Sequence, residues 1–229
     1  MSSIFNATTD FVQSLATTEK VAETLLTPAA LSPTALPVTN SISCACVVLL
    51  SGYFESYLKS LIKEYIENIN ALAKPLIKLP YSMRVKHYAG GADALERAAK
   101  RDKDLKTLTF SQDLSTRLAS LNLPTGYTLA WESFANTQSN PGPETVANLL
   151  AGLEVKSAWA TISDLSTKHG SLQAFLLSFI KMRNVCAHTG GHVSPPSGAD
   201  IIDYVEKFRC LAECLEMTLA LRYHDFSTL

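Results

Sequence analysis

Residues 171–189 read SLQAFLLSFIKMRNVCAHT, and this stretch decides the fold. Leu172, Phe175, Leu176, Phe179 and Ile180 recur at three- and four-residue spacing, the period of a helix that buries one face. Gly190 follows as a natural C-terminal stop. The same helix carries Arg183-Asn184-Val185-Cys186-Ala187-His188, which sets a permanent cation, an amide and an imidazole within six residues. Arg183 can hold a phosphate, His188 can move a proton near neutral pH, and Asn184 can orient the ring or a substrate. In a chain with seven arginines and five histidines the Arg-to-His spacing alone is cheap. The Asn directly after the Arg and the placement at the end of an apolar helix make it specific.

Working outward, the remaining chain is helical by pattern. A long helix is expected over 39–73, where Ile42, Ala45, Leu49, Tyr53, Tyr57, Leu61, Tyr65 and Ile69 form a stripe closed by Pro75 and Pro80. Residues 4–26 make a modest amphipathic segment, ended by Pro28, Pro33 and Pro37. Shorter helices are expected over 83–100, with Gly90-Gly91 interrupting, and over 105–121. Residues 136–143 read as loop, and Pro143 with Glu144 suits the first turn of a helix over 144–167 that can break near Gly152. After Pro195-Pro196-Ser197-Gly198, a last helix over 201–223 repeats Tyr204, Val205, Phe208, Leu211, Leu215 and Leu219. No strand-like alternation runs to a useful length. The fold class is all-α, a helical bundle. An N-terminal helix and Pro-containing linker (1–38) precede the main helical domain (39–229), the whole forming one unit.

Bulk properties narrow the function. The 229 residues are 47% apolar and 18% charged, too apolar for disorder. A net charge of −1 argues against a surface that coats nucleic acid indiscriminately, but leaves room for a local basic groove. Met1-Ser2-Ser3-Ile4 lacks a secretory n-region, and the apolar run from Cys44 to Leu50 is too short to cross a bilayer. Five cysteines without a framework point to a reducing compartment. The expectation is a cytoplasmic protein without membrane contact. Cys44, Cys46, Cys210 and Cys214 lie on apolar stripes, where free Cys packs as a small core residue, and Cys186 reads the same way. Neither a metal nor a cofactor is expected.

Two further groups stand out. Glu55 is the only charged residue between Asn40 and Lys59, and a lone carboxylate on so apolar a segment is costly unless paired. It either pairs with Arg183 or His188, or points to solvent along an edge with Ser51 and Lys59. Residues 78–106 hold eight basic against four acidic residues. With Tyr81, His87 and Tyr88 nearby, Arg84, Lys86, Arg97, Lys100 and Arg101 make a candidate surface for RNA backbone and stacked bases, or an ordinary solvated face. His192 in the following loop is a weaker candidate of the same kind.

The Arg183–His188 string resembles the signature of the HEPN superfamily. So does the early apolar helix with an embedded Glu, Val47-Val48-Leu49-Leu50-Ser51-Gly52-Tyr53-Phe54-Glu55-Ser56-Tyr57-Leu58. The likeness is nearest to HEPN nuclease domains of the RiboL-PSP type and covers the helix around Glu55 and residues 171–222. It implies a HEPN-like bundle with additional helices, a homodimer whose two motif copies line one cleft, and metal-independent endoribonuclease activity. Arg183 would bind phosphate, Asn184 would be its polar companion and His188 the acid or base, with Glu55 orienting the site. It further implies phage defence or a toxin–antitoxin system, with a partner protein restraining the nuclease. The geometry of a helix supplies its own reason for dimerisation. Five residues turn about 500°, so Arg183 and His188 point roughly 140° apart, while Asn184 and His188 share a face. A second reading is a non-catalytic helical interaction module in which the motif is a relic.

Overall fold

The structure, a computed structural model, describes residues 5–137, 141–189 and 194–228. Eight α-helices follow in order: α1 (Asn6–Leu25), α2 (Leu36–Ala71), α3 (Tyr81–Leu105), α4 (Thr109–Ser120), α5 (Pro143–Ala151), α6 (Ala158–Leu165), α7 (Leu172–Thr189) and α8 (Gly198–Thr228). Short 3-10 turns lie at Leu76–Lys78 and Trp131–Ser133, and no strand occurs among the described residues. Prolines set several boundaries. Pro37 stands in the first turn of α2, Pro80 precedes α3 and Pro143 opens α5, positions where a missing N–H costs nothing.

The core is built around α2, which packs against α1, α7 and α8. Phe11 stacks on Tyr57 with ring centroids 4.7 Å apart, and Phe179 meets Phe208 edge-on at 4.7 Å. These geometries add to the burial of large apolar surfaces. The Tyr57 hydroxyl, buried between α2 and α8, donates to the Ala212 carbonyl at 2.9 Å. Phe11, Leu15 and Ala22 of α1 belong to this core, so the N-terminal helix is part of the bundle. The α3–α4 hairpin packs beside it, with Met83 of α3 entering the core, and reaches α2 through the Trp131–Ser133 turn. Asp102 of α3 accepts the N–H groups of Phe110 (3.0 Å) and Ser111 (2.7 Å), so it caps the start of α4 from a neighbouring helix.

Three expectations need correction. The stripe on α2 holds from Tyr57 to Ile69 and fails before it. Ile42 is 38% and Leu49 50% exposed, while Cys44, Val47, Leu50, Ser51 and Phe54 face the core. A strict four-residue repeat winds about 40° per step, so a row that is central at Tyr65 has left the face by Ala45. Gly90-Gly91 does not interrupt α3. A Cβ at Gly90 would stand 2.0 Å from the Ser133 carbonyl oxygen, and one at Gly91 would stand 2.4 Å from a Leu118 methyl. The pair lets the Trp131–Ser133 turn and α4 lie directly against the helix. His87 offers no ring to a base. It is fully buried, and its Nδ1 accepts the Ala130 N–H at 3.2 Å. The break expected near Gly152 is present: α5 ends at Ala151 and α6 begins at Ala158, with Glu154 in the left-handed region (φ 68°) between them.

By length and composition α2 would also suffice to cross a membrane. In the bundle one side of it is core. Val38, Ile42 and Leu49 project from the other side of its N-terminal half, 62%, 38% and 50% exposed.

Candidate functional site

Helix α7 positions the site. Leu172, Leu176, Phe179 and Cys186 turn into the core and fix its rotation. On that rotation Arg183 falls at the border of the buried face, whereas Asn184 and His188 fall on the exposed one. The Arg183 guanidinium is half-buried. Its Nε is shielded from solvent without a hydrogen-bond partner, and its Nη1 donates to Oδ1 of Asn184 at 3.3 Å. The amide thus steadies the cation. His188 stands exposed in the last turn of α7.

Across the packed pair α2 and α7 lies Glu55. Lys59 Nζ donates to its Oε1 at 2.6 Å and Thr137 Oγ1 donates to the same oxygen at 2.9 Å. Burial pushes the Glu55 carboxyl up. The hydrogen bonds from Lys59 and Thr137 and the charges of Lys59 and Arg183 outweigh it, so the group ionises below its ordinary 4.5. Glu55 therefore joins both alternatives read from sequence: it bonds Lys59 one turn on, and it lies within the electrostatic reach of Arg183. Ser51 is not part of that edge, because it is buried.

Thr137 is the residue that sequence reasoning missed. It is 2% exposed and holds Glu55 from the segment before α5, 82 residues away, so no periodic signal announces it. Cys44 and Cys186 meet where α2 crosses α7. Burial and the neighbouring thiol push Cys186 up to about 12, so it packs as a protonated, apolar group. Among the described residues no three His, Cys, Asp or Glu side chains gather to hold a metal ion.

The basic segment stands apart. Helix α3 packs on α4 and the Trp131–Ser133 turn, not on α7. Arg84 lies over the Tyr81 ring at 5.6 Å and Arg101 over Phe110 at 3.7 Å. Lys100 pairs with Glu96 at 2.7 Å. Lys86 packs beside Gly152, and Arg97 reaches the Glu132 carbonyl at 3.5 Å. These five residues are thus divided among several local contacts. His192 lies outside the described residues.

The chain accordingly presents a half-buried cation on one flank of α7 and an exposed imidazole on another. A guanidinium and an imidazole can each engage an anionic group. No curated protein and no solved structure matches the chain. The family model described as RiboL-PSP-HEPN matches residues 24–220, which spans α2 through most of α8 and both halves of the site. The chain belongs to the RiboL-PSP-HEPN family.

Proposed function

We propose that the protein is a metal-independent endoribonuclease acting as a homodimer. In this reading the ribose 2′-hydroxyl attacks its own 3′-phosphate, the P–O5′ bond breaks, and the products carry 2′,3′-cyclic phosphate and 5′-hydroxyl ends. His188 removes the 2′ proton or protonates the departing 5′ oxygen, and an imidazole is suited to both tasks near neutral pH. Arg183 stabilises charge building on the phosphoryl oxygens. Membership of a HEPN family supports a ribonuclease-type activity.

The observation that carries the reading is the division of labour on α7. Arg183 is held by Asn184 in the field of Glu55, while His188 is exposed about 140° around the helix. One helix serves a single phosphate poorly; two related by a twofold axis can offer the Arg of one and the His of the other. The exposed Val185 of α7 and Ile42 and Leu49 of α2 give such a dimer apolar surface to cover. A cytoplasmic setting in phage defence or a toxin–antitoxin pair, with a partner protein restraining the nuclease, completes the proposal.

The test is incubation of the protein and its His188→Ala variant with mixed tRNA and messenger RNA in excess EDTA. Cleavage by the unaltered protein alone, with cyclic phosphate ends, is the expected result. Intact RNA in both tubes would move the assignment to a helical interaction module.

A further inference from the structure

Beside the motif, α7 forms one wall of a groove of about 670 Å3 with α5 and α6. Pro143, Trp159, Leu177 and Ile180 supply its apolar surface, and Gln173, Thr145 and the Glu144 carboxylate its polar groups. The volume lies within the range of small-ligand sites. Trp159 Nε1 donates to the Pro143 carbonyl at 2.9 Å, so the indole wall is fixed before anything binds. The lining includes no Lys or Arg. The groove is therefore suited to a flat, uncharged group, not to a phosphate.

Its position says which group. On an ideal helix Gln173, Leu177 and Ile180 fall within about 60° of one another, and Asn184 and His188 fall on the same side. Lys181, also exposed, lies between them on this face. From Ile180 to His188 the axial rise is roughly 12 Å, the reach of about two to four nucleotides of a single strand depending on how far it is stretched. One face of α7 thus presents a largely apolar groove without a cation, then a cation, then the amide and imidazole of the motif. That is the order of base, backbone phosphate and reacting phosphate along an RNA strand. Single-stranded RNA is held by proteins through such alternation of base-stacking surfaces and backbone cations.

We infer that this groove is a base-binding subsite. It takes an unpaired nucleobase about two to four nucleotides from the scissile phosphate, with Lys181 on the intervening backbone, and so sets where the strand is cut. The inference rests on RNA being the substrate.

The experiment uses the His188→Ala protein and RNA oligonucleotides carrying one 4-thiouridine at successive positions. After irradiation, the crosslinked peptides are mapped by mass spectrometry. Crosslinks are expected to the start of α5, to Trp159 or to the first half of α7, at one or two positions of the photoactive base. Ala174→Phe, which fills the groove, and Leu177→Gln, at a half-exposed position that the fold does not need, should each reduce those crosslinks roughly tenfold or more. They should also shift the cleavage pattern of the otherwise unaltered enzyme. Crosslinks confined to other surfaces, or unchanged by both substitutions, overturn the subsite. Light scattering that finds a dimer broken by Ala174→Phe assigns the groove to a second copy of the chain and overturns it equally. RNA cut in EDTA without groove crosslinks leaves the nuclease standing and removes the subsite. Groove crosslinks from a protein that cuts nothing keep base binding in the groove, and remove the nuclease together with the groove's role in setting the cut.

Discussion

Glu55 and His87 show how much a titratable side chain's neighbours decide. Glu55 is ionised below its ordinary value because two hydrogen bonds and two cations outweigh its burial. A carboxyl whose folded pKa is depressed adds stability above its unfolded value, here about 4.5, and that stability is lost as pH falls through the lower folded value. Glu55→Gln should therefore lower stability near neutrality by about 1 kcal/mol, the scale of one ordinary hydrogen bond, because solvent screens this partly exposed carboxylate. It should also flatten the pH dependence of the melting temperature below pH 4.5. Thermal denaturation of both proteins across pH 3–7 checks this, and unchanged curves would mean that Glu55 holds nothing. His87 runs the other way. Burial keeps its ring neutral below the ordinary 6.5, so as pH falls through 6.5 the unfolded chain takes up a proton that the folded one refuses. Stability should decline in that window by at most about 1.4 kcal/mol per pH unit, and His87→Gln should remove that part of the slope. Of the candidate-site residues, Arg183, Asn184, His188 and Glu55 can be singled out from sequence, because motif spacing and an isolated charge are local signals. Thr137 and the burial of His87 cannot, since each depends on a partner far along the chain.

At the scale of elements, glycines divide by what faces them. Gly90 in α3 meets the Ser133 carbonyl, backbone that cannot give way, whereas Gly52 in α2 has nothing within 4 Å of a Cβ. Helix propensity alone would favour Ala at both by roughly 1 kcal/mol. Gly52→Ala should realise most of that gain, and Gly90→Ala should instead destabilise by about 1–3 kcal/mol as the Trp131–Ser133 turn is pushed off α3. Urea unfolding of the two variants would show opposite shifts in midpoint, and shifts of the same sign would refute the close-approach account. The example also marks where periodicity stops informing. Hydrophobic spacing located α1, α2, α7 and α8, because each buries one face in the common core. It misread the glycine pair as a break, since whether small residues end a helix or admit a neighbour depends on what packs there. It likewise took a drifting row for a face in the first half of α2.

At the scale of the whole molecule, the unused surface of α2 and the divided motif on α7 lead to one expectation about assembly. If each reacting phosphate meets Arg183 from one protomer and His188 from the other, a twofold dimer has two such sites. Arg183→Ala and His188→Ala homodimers would each lack one partner at both sites. A heterodimer of the two would carry one site with both groups intact and one with neither. Random mixing makes about half of the dimers heterodimers, each with half of its sites, so roughly a quarter of normal activity should return. Co-expressing the two variants under separate tags, then assaying RNA cleavage, reads this directly. Two inactive proteins that stay inactive when mixed, though shown to co-assemble, would mean that Arg183 and His188 act within one chain. Leu49→Glu offers the complementary check: it puts a charge on the exposed side of α2, away from the core. It should leave the helix content unchanged, shift the species seen by light scattering from dimer to monomer, and abolish cleavage. A monomer that still cuts RNA would locate the reaction within a single bundle.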